Sequence, residues 1–425
     1  MKYKLIATSA TIALAAGLVG CSSPQSEPNE DSITVAAQAW MITKLKLDTV
    51  VEEFEADNPG INVELVEYAD NQTLANFALQ WSQGKSNQDV VITDGASTAV
   101  QFLAQDLIID FNDTDFFEGP TVKENFIGNS LVLCELDGVQ YAIPMAMEVY
   151  GINANKAFFE EADLTDSNGE IVRPETWEEV YEYATKLTVK EGDNVTRPGM
   201  MIQWGSNGLN AMLATLQAAT GSMYGPDGKT VSFDTPEMRE ILAIWQKGVS
   251  EGVFSTATFT DKNAGQNAFN AGQLPMLLQS AAHIAEASPT IGEENARFIP
   301  IPGSLENGSR AGTTGIIIPK AAPNQELALR FIQEGLMSDV QVGVGEQWGK
   351  LPILTSYYEE IDAAWIGELT EVIAISEPTP MYKDLPKLQV SVVRELQPYL
   401  TGDTDLDSFL ATVEQQIADA DKSIN

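Results

Sequence analysis

The chain has 425 residues, 44 % hydrophobic and 20 % charged, a globular composition that excludes a mainly disordered or fibrous protein. Acidic residues outnumber basic ones 61 to 24, for a net charge of −37. A field of that sign repels phosphate backbones and anionic lipid surfaces, so no nucleic-acid partner is expected. An acidic, solvated shell suited to a salty medium accounts for the charge. With one histidine, His283, and two cysteines, a His-built zinc site is out of reach, and a serine triad would have to use His283. No metal and no cofactor is expected.

The first elements are a leader. Lys2 and Lys4 precede an apolar run, Leu5 to Val19, that is too short for a comfortable membrane span. Leu18-Val19-Gly20-Cys21 resembles a bacterial lipobox, in which the cysteine thiol receives a diacylglycerol before cleavage. Residues 1–20 are therefore expected to be removed. Cys21 would be lipidated, and 21–32 would form a flexible tether. The implied location is the outer side of the cell membrane, extracellular or periplasmic. Cys134 then has no intrachain partner, and its apolar setting predicts a buried, inert thiol.

Ile33-Thr34-Val35 reads as a first strand. Leu47, Val50, Val51 and Phe54 form the stripe of an amphipathic helix, which Asn58-Pro59-Gly60 stops. Ile61, Val63 and Leu65 alternate as a half-buried strand, and Val90-Val91-Ile92 is a buried one. Thr176 and Glu179 make a capping box ahead of Trp177, Val180, Tyr181 and Ala184. Val231-Ser232-Phe233 is predicted as a strand, and Thr235-Pro236 as the start of a helix bearing Trp245. Met276 to Leu278, Phe298 to Pro300 and Gly315 to Pro319 are further strands, and a last helix carries Leu406, Phe409, Leu410, Val413 and Ile417. Alternating strands and helices predict an α/β fold with a largely parallel sheet.

Several blocks together resemble family 1 extracellular solute-binding proteins, the binding components of ABC sugar importers, in their maltose-binding-protein-like branch. They include Phe54 to Val63, Asp89-Val90-Val91-Ile92, Asp137 to Pro144, Asn153 to Phe159, Pro174 to Glu179, Ala268 to Gln273 and Gly349-Lys350-Leu351-Pro352. The resemblance implies a two-lobed periplasmic-binding-protein fold of class II, with multiple hinge crossovers and a ligand cleft between the lobes. Lobe 1 would comprise 33–145 plus 314–375, and lobe 2 would comprise 146–313 plus 376–425. It further implies a monomeric, non-enzymatic receptor that closes on a small solute, a mono- or oligosaccharide, and delivers it to the transmembrane subunits of an ABC permease.

Sugars present apolar faces and hydroxyl edges, which aromatic platforms and carboxylates suit. By position relative to the family's cleft, the candidate ligand-binding residues are Trp40, Asp94, Glu148, Tyr150, Trp204, His283, Trp348 and Tyr382. The stretch Gln279 to His283 departs from the family, because Ala282 stands where an aromatic is common; His283 would hydrogen-bond a ligand or cap the next helix. Two rival readings remain open. The acidity allows a cationic solute such as a polyamine or amino acid, and Asp94 with Glu148 would be the pair of a carboxylate glycosidase. Asp403, Asp405, Asp407 and Glu414 have EF-hand spacing without the required glycine and read as an acidic helix start.

Overall fold

A computed structural model describes residues 31–421 apart from 129, 206–207, 362–364 and 383–384. The expected leader and Cys21 lie outside the described residues. Among the described residues no helix is long and apolar enough to cross a membrane.

Ten strands form the main sheet: β1 (Ser32–Ala37), β2 (Asn62–Glu67), β3 (Val90–Thr93), β4 (Ile143–Asn155), β5 (Met200–Ile202), β6 (Phe254–Ser255), β7 (Met276–Ser280), β8 (Ala296–Ile299), β9 (Arg310–Ile317) and β10 (Glu377–Pro378). Their order is β6-β5-β7-β4-β9-β3-β1-β2, with β8 on β4 and β10 on β9. β1 pairs in parallel with β2 and β3, and β5 with β6 and β7. The long β4 is the seam between these halves. Its residues 143–149 pair antiparallel with β9, and 150–154 pair antiparallel with β7.

The hydrophobic cores divide at the same place. Ile143 to Val149 pack with Ile33, Phe54, Ile92, Phe331 and Trp348. Tyr150 to Ala154 pack with Trp177, Leu213, Trp245, Val392 and Leu410. The molecule is thus two-lobed, with one strand passing through both cores. β4 is buried on both faces except at Glu148, a polar residue that an all-apolar strand would not retain without partners.

Local rules explain the elements around this seam. The stripe Leu47, Val50, Val51 and Phe54 is buried along the helix Leu47–Asp57. Thr176 Oγ1 accepts the Glu179 amide at 3.2 Å, and Glu179 returns to the amide of Glu175, one residue before the expected capping-box partner. The strand expected at Val231 to Phe233 is not formed. Only a bridge between Tyr224 and Val231 is present, because the Phe233 amide donates to Glu414 at 2.6 Å. Glu414 is thereby used as a backbone acceptor, and Asp405 caps the first turn of the last helix through Ser408. Cys134 is buried and free.

Gly151, on β4 just past the seam, has no room for a side chain: a Cβ there would lie 2.1 Å from the Phe298 ring. Gly151→Ala is expected to cost about 1–3 kcal/mol through overpacking. The loss should shrink in a Phe298→Leu background, with melting temperatures of the two single variants and the double variant as the measurement.

Candidate functional site

Where the two cores meet, four charged side chains converge. Glu148 projects from β4 at the seam. Its Oε2 accepts Ser280 Oγ at 2.9 Å, from the end of β7, and Lys350 Nζ at 3.1 Å, from the loop after the helix Val340–Glu346. Its Oε1 lies 3.4 Å from Arg310 Nη1, at the start of β9. Arg310 Nε donates to Thr379 Oγ1 at 2.7 Å, and the guanidinium stands 5.0 Å from the centre of the Tyr150 ring. Arg310 needs the neighbouring glycine, since a Cβ on Gly312 would come within 2.5 Å of Nη2.

Asp94 follows β3 and faces this group. With Gly95, Ser97, Glu148, Arg310 and Thr379 it lines a cavity of about 40 Å³, room for a water molecule or two and too small for a sugar ring. The Asp94 side chain is open to solvent along the cleft, and its carboxylate has no hydrogen-bond partner among the described residues. Crowding by the cleft walls pushes its carboxyl above the ordinary range, and Glu148 adds to this against the opposing charges of Lys350, Arg310 and Lys262. Glu148 behaves oppositely. Burial pushes it up, but the charges of Lys350 and Arg310, with hydrogen bonds from Lys350 and Ser280, hold it at about 2.

An aromatic pair borders the group. Lys350 Nζ lies 4.2 Å above the Trp348 ring. Trp348 meets Trp40 edge-to-face at 5.6 Å. Trp40 is held by its indole N–H to Gln38 Oε1 at 2.7 Å and keeps 36 % of its surface exposed, unusual for a tryptophan within a packed cluster.

Among the residues singled out from sequence, Asp94, Glu148 and Tyr150 gather here, with Trp40 and Trp348 alongside. Tyr150 is buried between Arg310 and a hydrogen bond with Asn210, and burial pushes its hydroxyl well up. The structure does not bring Trp204 here. It has no exposed surface, donates its indole N–H to the Ser255 carbonyl and packs on Trp245 and Phe259 within the second core. Tyr382 is buried in the same core. His283 turns to Glu286 at 2.8 Å, in the first turn of the helix His283–Ile291. There Glu286 also takes Lys44, Gln266 and Asn270 at 2.9–3.0 Å. Sequence reasoning missed Arg310, Lys350, Ser280 and Thr379. The available signal for Arg310 and Lys350 was their charge in a chain poor in cations; nothing in the sequence marks Ser280 or Thr379.

The low Glu148 value has a sign. Its ion pairs stabilise the folded state fully above the ordinary carboxyl range, and that stability is lost as pH falls toward about 2. The melting-temperature gap between the native chain and Glu148→Gln should therefore be widest near neutrality and narrow steadily below about pH 4. A gap that stays constant down to about pH 3 would contradict the assignment.

Residues 43–341 match the model of a family described as bacterial extracellular solute-binding protein. Binding proteins of Brucella abortus (strain 2308) and Brucella suis biovar 1 (strain 1330) are each 24 % identical over 313 residues, 72 % of this chain and 72 % of theirs. Among solved structures, a solute-binding protein of an ABC transporter from Thermotoga lettingae, bound with alpha-D-tagatose, superimposes with a TM-score of 0.75 at 18 % identity, covering 93 % of this chain and 100 % of that one. The maltose-bound MalE3 of T. maritima gives 0.74 at 19 % identity over 91 % and 99 %. The GacH receptor of Streptomyces glaucescens, solved unliganded and with acarbose, gives 0.73 at 19 % identity over 91 % and 98 %. These share with this chain the two-lobed periplasmic-binding-protein fold expected from its sequence. The family model covers well over half of the chain, and the protein belongs to the bacterial extracellular solute-binding proteins.

Proposed function

We propose that this chain is the receptor of an ABC importer and that its solute is a saccharide held at the seam between the lobes. The observation that carries this reading is the open Asp94 carboxylate facing the donors of Arg310 and Lys350, with the exposed Trp40 beside them. Hydroxyl groups both donate and accept, so one ring satisfies Asp94 and the two cations together. The apolar face of a sugar ring matches an exposed indole. The tagatose, maltose and acarbose complexes of the structural neighbours are consistent with it. Closure around the solute is selected by contacts made only in the closed state, and the closed form docks on a permease. The lobes are taken as 33–145 plus 314–375 and 146–313 plus 376–425, and Cys21 as the lipid attachment that holds a monomeric receptor at the membrane.

Binding without catalysis fits the electrostatics. Both oxygens of Glu148 are engaged by Ser280, Lys350 and Arg310, so this carboxylate is not free to attack a sugar carbon or activate a water as a glycosidase requires. Those buried cations also disfavour a polyamine or other cationic solute.

A thermal-shift screen of mono- and oligosaccharides tests the reading. The fitting sugar at a hundredfold excess over its dissociation constant should add about 2.7 kcal/mol of stability. A response to amino acids or polyamines and to no sugar would end the saccharide reading. Trp40→Ala should weaken the sugar about tenfold with little change in melting temperature, and titration calorimetry reads the difference. Cys21→Ser should release the protein from the membrane fraction of expressing cells.

A further inference from the structure

Cations are scarce in this chain, 24 against 61 acids, yet three of them act on the charge of Asp94. The side chains of Arg310 and Lys350 are only 8 % and 6 % exposed, and both bridge a single carboxylate, Glu148. Lys262 stands near enough to act on Asp94. Of the two carboxylates nearby, only Glu148 is withdrawn from solvent with these cations, while Asp94 is exposed; the buried part of the cluster therefore carries a positive surplus where low polarity magnifies it.

The donors are also under-used. Arg310 Nε is committed to Thr379 and Nη1 reaches Glu148 only at 3.4 Å. Nη2 has no hydrogen-bond partner among the described residues, although Arg310 lines the cavity. An open guanidinium edge beside an ammonium is the donor set that a carboxylate fits best, through paired charge-assisted hydrogen bonds. Asp94, across the cavity, repels an acid group and accepts hydroxyls. The site is therefore polar in a directed way: its anion-accepting end is Arg310 with Lys350, and its hydroxyl-accepting end is Asp94.

Resting on the saccharide reading above, we propose that the solute is an acidic sugar, a ring bearing a carboxylate, with the acid group taken by Arg310 and Lys350 and ring hydroxyls by Asp94. Glu148 then has a second role. It occupies the cations while the cleft lacks solute, and it competes with the incoming carboxylate for the same donors. This makes the sign of one substitution diagnostic. Removing the Glu148 charge frees both cations and tightens an acidic ligand. A neutral ligand gains nothing from the change, because it never competes for charge.

Calorimetric titrations of the intact chain with D-glucuronate, D-galacturonate and D-mannuronate, each against D-glucose, D-galactose and D-mannose, test this. At least one acid should bind more than about tenfold tighter than its neutral parent, and the preference should fall with added salt. Glu148→Gln should tighten that acid and leave the neutral parent unchanged or weaker. Lys350→Met should erase most of the preference, and it keeps the test decisive if Glu148→Gln fails to fold. Neutral sugars binding as well as or better than every acid would overturn the proposal and leave the saccharide reading standing, as would a Glu148→Gln variant that weakens the acid. No binding of any of the six sugars would overturn the proposal, and the saccharide reading would fall with it only if the wider screen of mono- and oligosaccharides also gave no response.

Discussion

The carboxylate of Glu148 is the constraint around which the rest is arranged. It is the single break in a strand otherwise buried on both faces, and it sits where the first core hands over to the second. An isolated charge there would be prohibitive, so donors arrive from three distant segments: Ser280 at the end of β7, Arg310 at the start of β9, and Lys350 in the loop beyond the helix Val340–Glu346. Arg310 depends on two further choices. Thr379 aims the guanidinium, and the bare Gly312 leaves it space. Loss of one member strands the others in low polarity, which is more damaging than never having had the network.

The same node links binding to shape. Glu148 ties Lys350, on the loop that carries Trp348 of the first core, to Ser280, on the strand that feeds the second. A second bridge runs from Lys44, on the helix that carries Trp40, to Glu286 on the helix after β7. These contacts and the small cavity describe an arrangement in which the protein's own charges draw the two sides together. A solute that replaces part of this network gains its affinity net of the contacts it displaces.

Much of this fold is written in local pattern. The stripe through Phe54, the turn at Asn58 to Gly60 and the cap at Thr176 follow from spacing and turn chemistry alone, and the structure realises all three. Phe233 shows the limit: its amide goes to Glu414, 181 residues away, and no window of sequence contains both. The site divides in the same way. Asp94 follows β3, a strand the sequence locates, whereas Glu148 lies inside β4 and is marked only by its position in the family resemblance. Arg310 is brought to Glu148 by antiparallel pairing across 162 residues, which composition and periodicity do not encode. Trp204 illustrates the converse error. An aromatic just past a strand end has the right address for a cleft, but the indole turns inward, where Trp245 and Phe259 offer it a packed slot.

The strand that threads both cores bears on how the chain comes to be folded. The first core is completed by Leu369 to Ile373 and the second by Leu396, Leu410, Val413 and Ile417, while β9 returns to pair with β4 long after β4 has been made. Chain closure over such separations is slow. A polypeptide emerging from its N-terminus therefore keeps both cores open until its last helices arrive. That delay leaves the chain extended, with neither core closed, until nearly all of it has been made.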